Sequence, residues 1–348
     1  MKHLFIGLDV HKSSWSVTIQ EGSLVVKRFS MKPCPQSLVN YVSKHYPGYS
    51  VACCYECCCV GYHIYRNLSA AGWNVLVVNP GDIPRISKQS SSKTDKIDSR
   101  HLCAQLASGH LKGIYVPDEK LEQFRSLFRR RSDLVKSLRR IKCHIKAMLL
   151  YYGISLPEQY DNINWSKDML RWVEKLKWLY PTAFETMNSR LQEYGFLHKE
   201  YLRICNELRK YARTSYRKDY YLLRSVPGVG PFIAIGTLAE VGDLRRFRSI
   251  DKLSSYVGLV PSLHSSGTKT FTKGITRRSK HLLRSFLIEG AWIAARKDPE
   301  LMEYYRQRRG SDHKKLIIKM ASKTLSRMYS VIKRGEPFVL KEPAAVEA

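Results

Sequence analysis

The sequence predicts an α/β domain at the amino terminus, followed by a mainly helical and strongly basic chain. Three observations lead to this expectation. Short apolar runs alternate with helical periodicity over residues 1–113, which is typical of a mixed sheet covered by helices. Long stretches with apolar residues at helical spacing follow from Lys120 onward. The 348 residues include 59 lysines and arginines against 30 aspartates and glutamates, a net charge of +29.

The amino-terminal domain is predicted to span residues 1–115. Its elements, in chain order, are the strands Leu4–Leu8, Trp15–Gln20 and Leu24–Met31, the helix Ser37–His45, the strand Val51–Tyr55, the helix Gly61–Ala71, the strand Trp73–Val78 and the helix Lys93–Ser108. The compact apolar run at 51–55 suits a strand that is buried on both faces. Three leading strands followed by alternating helix and strand favour a mixed sheet with helices on its faces.

Helices dominate the prediction after residue 115. Apolar residues recur at helical spacing over Lys120–Ala147, Ser166–Leu179 and Ala183–Tyr211. Long paired helices with few glycines are typical of a coiled coil, and an ordinary helical bundle explains the pattern equally well. We expect a helical segment at 116–215, a mainly α carboxy-terminal domain at 216–341, and a disordered Pro/Ala-rich tail at 342–348.

The positive charge is concentrated outside the first domain. Residues 121–150 carry 9 basic and 2 acidic side chains, and residues 243–341 carry 23 and 8. Charge repulsion of this size needs a counter-charge, which disfavours a small-molecule enzyme and favours a nucleic-acid partner. In the helical segment, the residues predicted to contact phosphates are Arg129, Arg130, Arg131, Arg139 and Arg140.

Neither export nor membrane insertion is predicted. No stretch approaches the ~18–20 apolar residues of a membrane helix, and Asp9 interrupts the first apolar run at once. The 9 cysteines are odd in number, and 5 of them crowd between Cys53 and Cys59, which indicates free thiols in a reducing cytoplasm. Cys54 and Cys57 have zinc-knuckle spacing, but without a second pair the cysteines are better explained as small residues that pack a strand end.

Four carboxylates of the first domain form a candidate metal site. Asp9 ends the first predicted strand, Glu56 ends the fourth, and Asp95 and Asp98 are three residues apart on one helix face. Only 6 acids occur in residues 1–113, and 4 of them form this set. Taken alone, an acid here is explained as a solvated surface residue, except Asp9, which interrupts an apolar strand. Brought together, four carboxylates repel one another unless a cation lies among them. Oxygen ligands favour Mg²⁺ or Mn²⁺, and two such ions can stabilise the attacking and leaving oxygens of a phosphodiester.

Pro227, Gly228, Val229 and Gly230 separate two helical stretches of the carboxy-terminal domain. The pattern is that of a helix-hairpin-helix turn, in which backbone N–H groups at Gly228 and Gly230 would contact a phosphate. A tight turn between helices, without any ligand, explains it equally well. The glycine spacing does not fit a dinucleotide-binding loop.

A polar loop rich in glycine, serine and threonine is predicted between Tyr256 and Lys280. Its basic residues, which we expect to contact phosphates together with Lys93 of the first domain, are Lys269, Lys273, Arg277, Arg278 and Lys280. Ser266 precedes a glycine in this loop, and an exposed serine near a phosphodiester can act as a nucleophile when a cation and a base assist it. A solvated serine is the simpler interpretation of the residues alone, since only His264 is near it in sequence.

Together these motifs resemble one family. They are Phe5-Ile-Gly-Leu-Asp9-Val-His-Lys12, Tyr55-Glu56 with Gly61, Lys93-Thr-Asp95-Lys-Ile-Asp98-Ser-Arg100, Val226-Pro-Gly-Val-Gly230, Gly258-Leu-Val-Pro261, Ser266-Gly267 and Arg278-Ser-Lys280. Over residues 4–340 the chain is similar to the DEDD transposases of the IS110/IS1111 (Piv/MooV) group, which are bridge-RNA-guided serine recombinases of insertion sequences. Each motif is weak alone, whereas their combination and order are specific.

The resemblance implies an RNase H-like (RuvC-like) domain, a coiled-coil segment and a carboxy-terminal transposase domain. It implies that Asp9, Glu56, Asp95 and Asp98 form the DEDD metal site. It also implies that Ser266, or Ser265 in the alternative register, forms a phosphoserine link to DNA. The implied partners are donor and target double-stranded DNA, a structured guide (bridge) RNA, and further copies of the chain in a dimer or tetramer with composite sites. The implied location is the prokaryotic cytoplasm, at the nucleoid.

The chain departs from the family pattern in two places. Cys57, Cys58 and Cys59 stand where relatives have small residues such as alanine and glycine, and Ser99 stands where alanine is common. Neither departure removes an acidic ligand. Two other functions remain compatible with the residues: a RuvC-like junction nuclease that uses water, and a nucleic-acid-binding protein without catalysis.

Overall fold

The computed structural model describes residues 2–83, 95–162, 164–266, 269–276, 279–308, 310 and 312–340, without the side chains of 95–97, 262–266 and 269–273. Lys93, Arg277, Arg278 and the tail 342–348 therefore lie outside the described residues. The chain divides into two compact units, Met1–Pro117 and Asp118–Ala348. Each unit has hydrophobic clusters of its own.

A five-stranded mixed sheet forms the centre of the first unit. Its strands are β1 (His3–Val10), β2 (Trp15–Glu21), β3 (Leu24–Met31), β4 (Ser50–Glu56) and β5 (Asn74–Val78), in the spatial order β3-β2-β1-β4-β5. The first three strands form an antiparallel meander, while β4 and β5 run parallel to β1. The structure confirms the predicted mixed sheet. Cys53, Cys54 and Tyr55 of β4 are all buried, as expected of an apolar strand covered on both faces.

Helices cover both faces of this sheet. The helices α1 (Pro35–His45) and α2 (His63–Ala70) pack on the face that carries Ile6, and α3 (Asp95–Ala107) packs on the face that carries Cys54. A proline at its first position starts α1, where the missing N–H would have no helical partner in any case. The two faces follow from the alternation of side chains along β1 and β4.

Two long helices open the second unit. They are α4 (Glu119–Tyr151) and α6 (Pro181–Ser215), with the short α5 (Lys167–Glu174) between them. Residues near Ile145 pack against residues near Met187, whereas Phe124 packs with Ala212, so α4 and α6 form an antiparallel pair. At 33 residues α4 is about 50 Å long. α5 ends at Glu174, before the predicted end at Leu179, and Leu176 and Trp178 of the following loop pack against the same cluster.

The rest of the second unit is a helical domain that carries one two-stranded ribbon. Its elements are α7 (Arg217–Ser225), α8 (Pro231–Val241), α9 (Ile250–Val257), β6 (Pro261–Ser266), β7 (Lys269–Ile275), α10 (His281–Lys297), α11 (Pro299–Gln307) and α12 (His313–Arg334). α8 is the central helix, because every residue from Ile233 to Val241 is buried. Within the described part of the chain, no helix is long and apolar enough to cross a membrane.

The ribbon of β6 and β7 replaces the polar loop predicted at this place. The two strands pair antiparallel from Pro261 with Ile275 at the base to Ser266 with Lys269 at the turn. Threonine, phenylalanine and isoleucine recur within Lys269–Ile275, and such residues favour extended backbone. The glycine, serine and lysine content of the segment concealed this signal.

Candidate active site

Two acids of the first unit lie side by side on neighbouring strands. The parallel strands β1 and β4 pair Leu8 with Tyr55, so Asp9 and Glu56 are the next residues along each strand. Neighbouring strands are about 4.8 Å apart, and residues in the same register point to the same face of a sheet. The register therefore makes the two carboxylates neighbours at the carboxyl ends of β1 and β4.

Helix α3 packs directly on the face that carries these acids. At Gly7 an added Cβ would lie 2.2 Å from the carbonyl oxygen of Ser99, so the close approach requires glycine. A hydrogen bond of 3.0 Å joins the hydroxyls of Thr18 and Ser99, and the Cys103 thiol donates to the carbonyl of Phe5 at 3.2 Å. These contacts determine which residues of α3 lie over which residues of β1. Because Ser99 lies over Gly7 and Cys103 reaches Phe5, α3 runs antiparallel to β1.

The same packing determines the level of the two α3 acids along the sheet. Ser99 lies level with Gly7, and one helical turn, about 6 Å, corresponds to about two residues of a strand. Asp95 begins α3 one turn before Ser99, so its backbone lies near the level of Asp9. Asp98 directly precedes Ser99 and is half-buried. All four acids thus belong to the same end of the sheet, although the side chain of Asp95 is outside the described set.

The donors at this edge fit a hard divalent cation. Among the side chains that the structure describes, no three His, Cys, Asp or Glu residues form a ready-made metal-binding group. Mg²⁺ commonly binds through one or two carboxylates and keeps several waters, so the neighbouring Asp9 and Glu56 match its requirements. His11, which the sequence analysis did not single out, places Nε2 at 3.3 Å from Asp9 Oδ2.

Burial keeps the cysteines near the acid pair, on β4 and α3, in the neutral thiol form. It raises the pKa of Cys103 to about 12, and it also raises the pKa of Cys53 and of Cys54. Partial burial raises the pKa of the Cys58 thiol, which donates to the carbonyl of Val10 at 3.8 Å. Cys53, Cys54 and Cys103 are buried and act as small packing residues. All nine cysteines of the chain are free.

The second candidate centre is the turn of the β6–β7 ribbon. Ser266 ends β6 and pairs with Lys269 at the start of β7, while Ser265 pairs with Thr270. Successive positions of a strand alternate between faces, so backbone positions 265 and 266 belong to opposite faces of the ribbon. Position 264 shares the face of 266. Lys273 lies further down β7.

The base of the ribbon is held by one arginine. The Arg284 guanidinium donates to the carbonyl of Gly258 at 3.2 Å and to that of Thr276 at 2.8 Å. The Thr276 N–H donates to the carbonyl of Val260 at 3.1 Å. Gly258 ends α9 with φ +87°, and an added Cβ would overlap the Cβ of Ser279. The base is therefore rigidly joined to α9 and α10.

A buried carboxylate, Glu240, lies in the same unit and was missed by the sequence analysis. Its Oε1 and Oε2 accept hydrogen bonds from Arg129 at 2.7 and 2.9 Å. Arg125 and Lys280 lie at 3.9 Å from the same carboxylate, whose side chain is only 4% exposed. An acid that interrupts the apolar run of α8 is the signal that could have found it. Glu240 connects α4 to the segment that follows the ribbon.

The basic residues predicted on α4 fall into two groups. Arg130, Arg139 and Arg140 are exposed. Arg129 is engaged by Glu240, as described, and the guanidinium of Arg131 lies 3.9 Å from the ring centre of Phe232. The exposed group is accessible to a phosphate backbone, whereas the other two arginines have structural contacts within the unit.

The glycine turn joins α7 to α8. Gly228 has φ +82°, and an added Cβ would lie 2.3 Å from the carbonyl oxygen of Gly290 and 2.7 Å from the Cβ of Ala294. Close packing against α10 therefore requires a glycine at position 228. Gly230 precedes the first residue of α8, and no described atom lies within 4 Å of its added Cβ. Of the two glycines, Gly230 is the one whose surroundings leave space for a ligand.

Comparisons with known proteins match both units. Residues 6–154 match the DEDD transposase domain of the IS110 type, and residues 220–306 match the transposase IS116/IS110/IS902 family. The chain is 27% identical over 291 residues to the transposase for insertion sequence element IS1328 of Yersinia enterocolitica, and the matched region covers 83% of each protein. It is 23% identical over 343 residues to that of IS1533 of Leptospira borgpetersenii, covering 97% of each. It is 26% identical over 246 residues to that of IS1111A of Coxiella burnetii, covering 68% of this chain and 64% of the relative.

A mixed α/β domain with paired carboxylates at one sheet edge, followed by a basic helical unit, is compatible with a DEDD transposase. The two family matches lie in the expected order and together cover parts of both units. The chain belongs to the IS110/IS116/IS902 family of insertion-sequence transposases.

Proposed function

We propose that this transposase cuts and rejoins DNA through a covalent phosphoserine intermediate, with Ser266 as nucleophile and a metal-dependent DEDD site. The observation that carries the proposal is the register of β1 and β4, which makes Asp9 and Glu56 neighbours beneath α3. The strand order and the single antiparallel meander agree with an RNase H-like fold. Asp9, Glu56, Asp95 and Asp98 would hold Mg²⁺ or Mn²⁺ there, and the ion would supply charge stabilisation at the phosphodiester.

The ribbon would present the nucleophile. A serine at the turn of two paired strands reaches a DNA backbone more easily than one in the core, and Lys269 is its partner across the ribbon. In the cleavage step the Ser266 Oγ forms a bond to phosphorus, the bond from phosphorus to the leaving DNA oxygen breaks, and that oxygen takes up a proton. The serine proton passes to a base, for which His264 is the candidate because its position shares the face of 266. Rejoining reverses the step with a different DNA hydroxyl.

Basic residues would hold the nucleic acids. The exposed Arg130, Arg139 and Arg140 of α4 are suited to phosphate contacts. The excess charge of +29 is compatible with two polyanions, DNA and RNA, bound at once. We therefore propose a structured guide RNA as the partner that selects donor and target DNA, and a dimer or tetramer whose subunits complete one another's sites.

The Ser266→Ala variant tests the nucleophile. We expect it to abolish the covalent protein–DNA adduct and recombination while leaving DNA and RNA binding intact, because only the attacking oxygen is lost. The adduct is measured after denaturation and gel separation of labelled DNA. The matched control is Ser265→Ala, on the opposite face of the ribbon, which should keep the adduct. Loss of the adduct in Ser265→Ala alone would move the assignment by one residue.

Two other functions give different results in the same assay. A junction nuclease that uses water would cleave DNA in a metal-dependent way without any adduct in the wild-type protein. A non-catalytic binding protein would show no change in DNA processing when Asp9→Asn or Glu56→Gln is introduced. The neighbouring carboxylates argue against the latter, since unneutralised acids repel a DNA backbone.

A further inference from the structure

A cavity of about 650 Å³ lies in the second unit, at the end of the ribbon opposite its turn. α9, the base of the ribbon, α11 and α12 surround it, and its size falls within the range of small-molecule pockets. Ile250, Leu259, Ile275 and Ile318 provide apolar walls. None of the functions assigned above uses this cavity.

One side of the cavity is lined with lysines. Lys315, Lys319 and Lys323 recur every four residues on α12 and therefore form one ridge along the cavity. Lys315 pairs with Asp312 of its own helix at 3.6 Å, and Lys323 lies 4.0 Å from Glu300. Among the described residues, Lys319 has no carboxylate within ion-pair distance.

The chemistry of the walls defines the class of ligand. Asp251 is the one carboxylate among the described lining residues, against three ammonium groups. An apolar cavity beside a cationic ridge is complementary to a flat apolar group carried by an anionic chain. A nucleobase on its phosphate backbone has this combination, since bases bind through apolar contact and phosphates through lysine.

The location relative to the ribbon makes DNA the relevant nucleic acid. The cavity is lined by Pro261 and Ile275, which face each other at the base of the ribbon. The other end of the ribbon carries Ser266. Five residues of strand span about 17 Å, which corresponds to about five nucleotides of duplex DNA. A DNA strand that reaches the serine can therefore also pass the cavity.

We propose that this cavity binds an unpaired base of the DNA strand, about five nucleotides from the strand break, with the α12 lysines on the adjacent phosphates. The inference deepens the proposed function and rests on it, because it names the form of DNA that the second unit would hold. An unpaired base costs least to extrude where the duplex is already open, so the cavity would favour DNA that is partly unwound for strand exchange.

Binding experiments with two labelled duplexes test the cavity. The duplexes have equal length, and one of them carries a single unpaired adenine. Binding is measured by fluorescence anisotropy without divalent ions, so that no chemistry takes place. We expect the full-length protein to prefer the bulged duplex by about tenfold, the order expected for one buried base. Equal affinity for the two duplexes would overturn the proposal.

A filled cavity should remove the preference. Ser326 lines the cavity and is exposed on α12, so Ser326→Trp occupies the space with little disturbance of the core. We expect this variant to bind both duplexes as the wild type binds the paired one. The matched control is Ser255→Trp, an exposed position of α9 outside the lining, which should keep the preference. A preference that survives Ser326→Trp would contradict the assignment.

Further measurements distinguish the proposed DNA base from other occupants of the cavity and from a folding defect of the variant. If circular dichroism shows that Ser326→Trp is misfolded, Lys319→Glu replaces it and should weaken binding of both duplexes more than Lys314→Glu, at an exposed position of α12 outside the lining. A change in the oligomeric state of the DNA-free Ser326→Trp variant would instead identify a protein segment as the occupant. Tighter binding of a bulged RNA than of the bulged DNA would identify RNA. Because the Ser266→Ala variant should keep the bulge preference, failure of the nucleophile and failure of the cavity are distinguishable.

Discussion

Glu240 shows how one side chain organises the second unit. Its carboxylate is buried and is approached by Arg129, Arg125 and Lys280. Arg125 is itself buried, and a buried charge without an ionic partner is costly, so Glu240 supplies the opposite charge that this arginine needs. The residue therefore connects the basic helix α4 to the segment that leads from the ribbon into α10.

At this scale we expect Glu240→Gln to destabilise the second unit by about 3 kcal/mol, because the neutral amide leaves Arg125 buried without an ionic partner. The change is measured as a lower urea midpoint of the helical circular dichroism. Asp133→Ala is the control, since its ion pair with Lys136 is exposed and contributes little. If both variants unfold at the wild-type midpoint, the Glu240 cluster has no structural role.

The elements show where sequence reasoning succeeded and where it stopped. Asp9 and Glu56 could be placed at strand ends because an acid that stops an apolar run is visible in the sequence. Their register could not be predicted, since it depends on pairing between β1 and β4, which are separated along the chain by two strands and a helix. Arg129 was predicted to contact phosphate, but its partner Glu240 lies 111 residues away. The ribbon was missed because its polar composition resembles that of a loop.

Helix α3 gives a pH-dependent prediction at the element scale. An unfolded cysteine titrates near 9.0, whereas burial against the sheet raises the pKa of Cys103 to about 12. The folded state therefore binds the thiol proton more tightly, and the stability gained in this way is fully present below pH 9 and is lost progressively as the pH rises toward 12.

We expect the urea midpoint of the wild-type protein to fall over this alkaline range, and Cys103→Ala to reduce the fall because alanine does not titrate. Cys143→Ala, at an exposed thiol of α4, should retain the wild-type pH dependence. Parallel curves for Cys103→Ala and the wild type would show that this thiol does not contribute.

Over the whole molecule the charge is divided unequally between the two units. All but 13 of the 59 lysines and arginines lie in the second unit, while the first unit carries the paired acids. Under the proposed function the second unit holds the nucleic acid, and the first unit carries the candidate metal site.

The fragment Asp118–Ala348 should therefore bind duplex DNA with nearly the salt dependence of the full chain. Each phosphate contact contributes about 0.9 to the slope of log K against log salt concentration, so the slope reports how many contacts the fragment retains. Titrations at several salt concentrations measure it. If the fragment Met1–Pro117 gave a slope as steep as that of the full chain, the phosphate contacts would lie in the first unit, which would contradict the prediction.

The parallel pairing of β1 with β4 also bears on when activity can arise. A slip of one residue would turn Glu56 to the opposite face of the sheet from Asp9. Gly7 blocks most shifts of α3 as well, because its backbone already touches Ser99. Formation of the carboxylate pair and completion of the sheet are thus a single folding event. When the unfolded chain is refolded, its proposed metal-dependent activity should appear abruptly, together with the last of the native sheet signal. Partly folded molecules should be inactive and not weakly active.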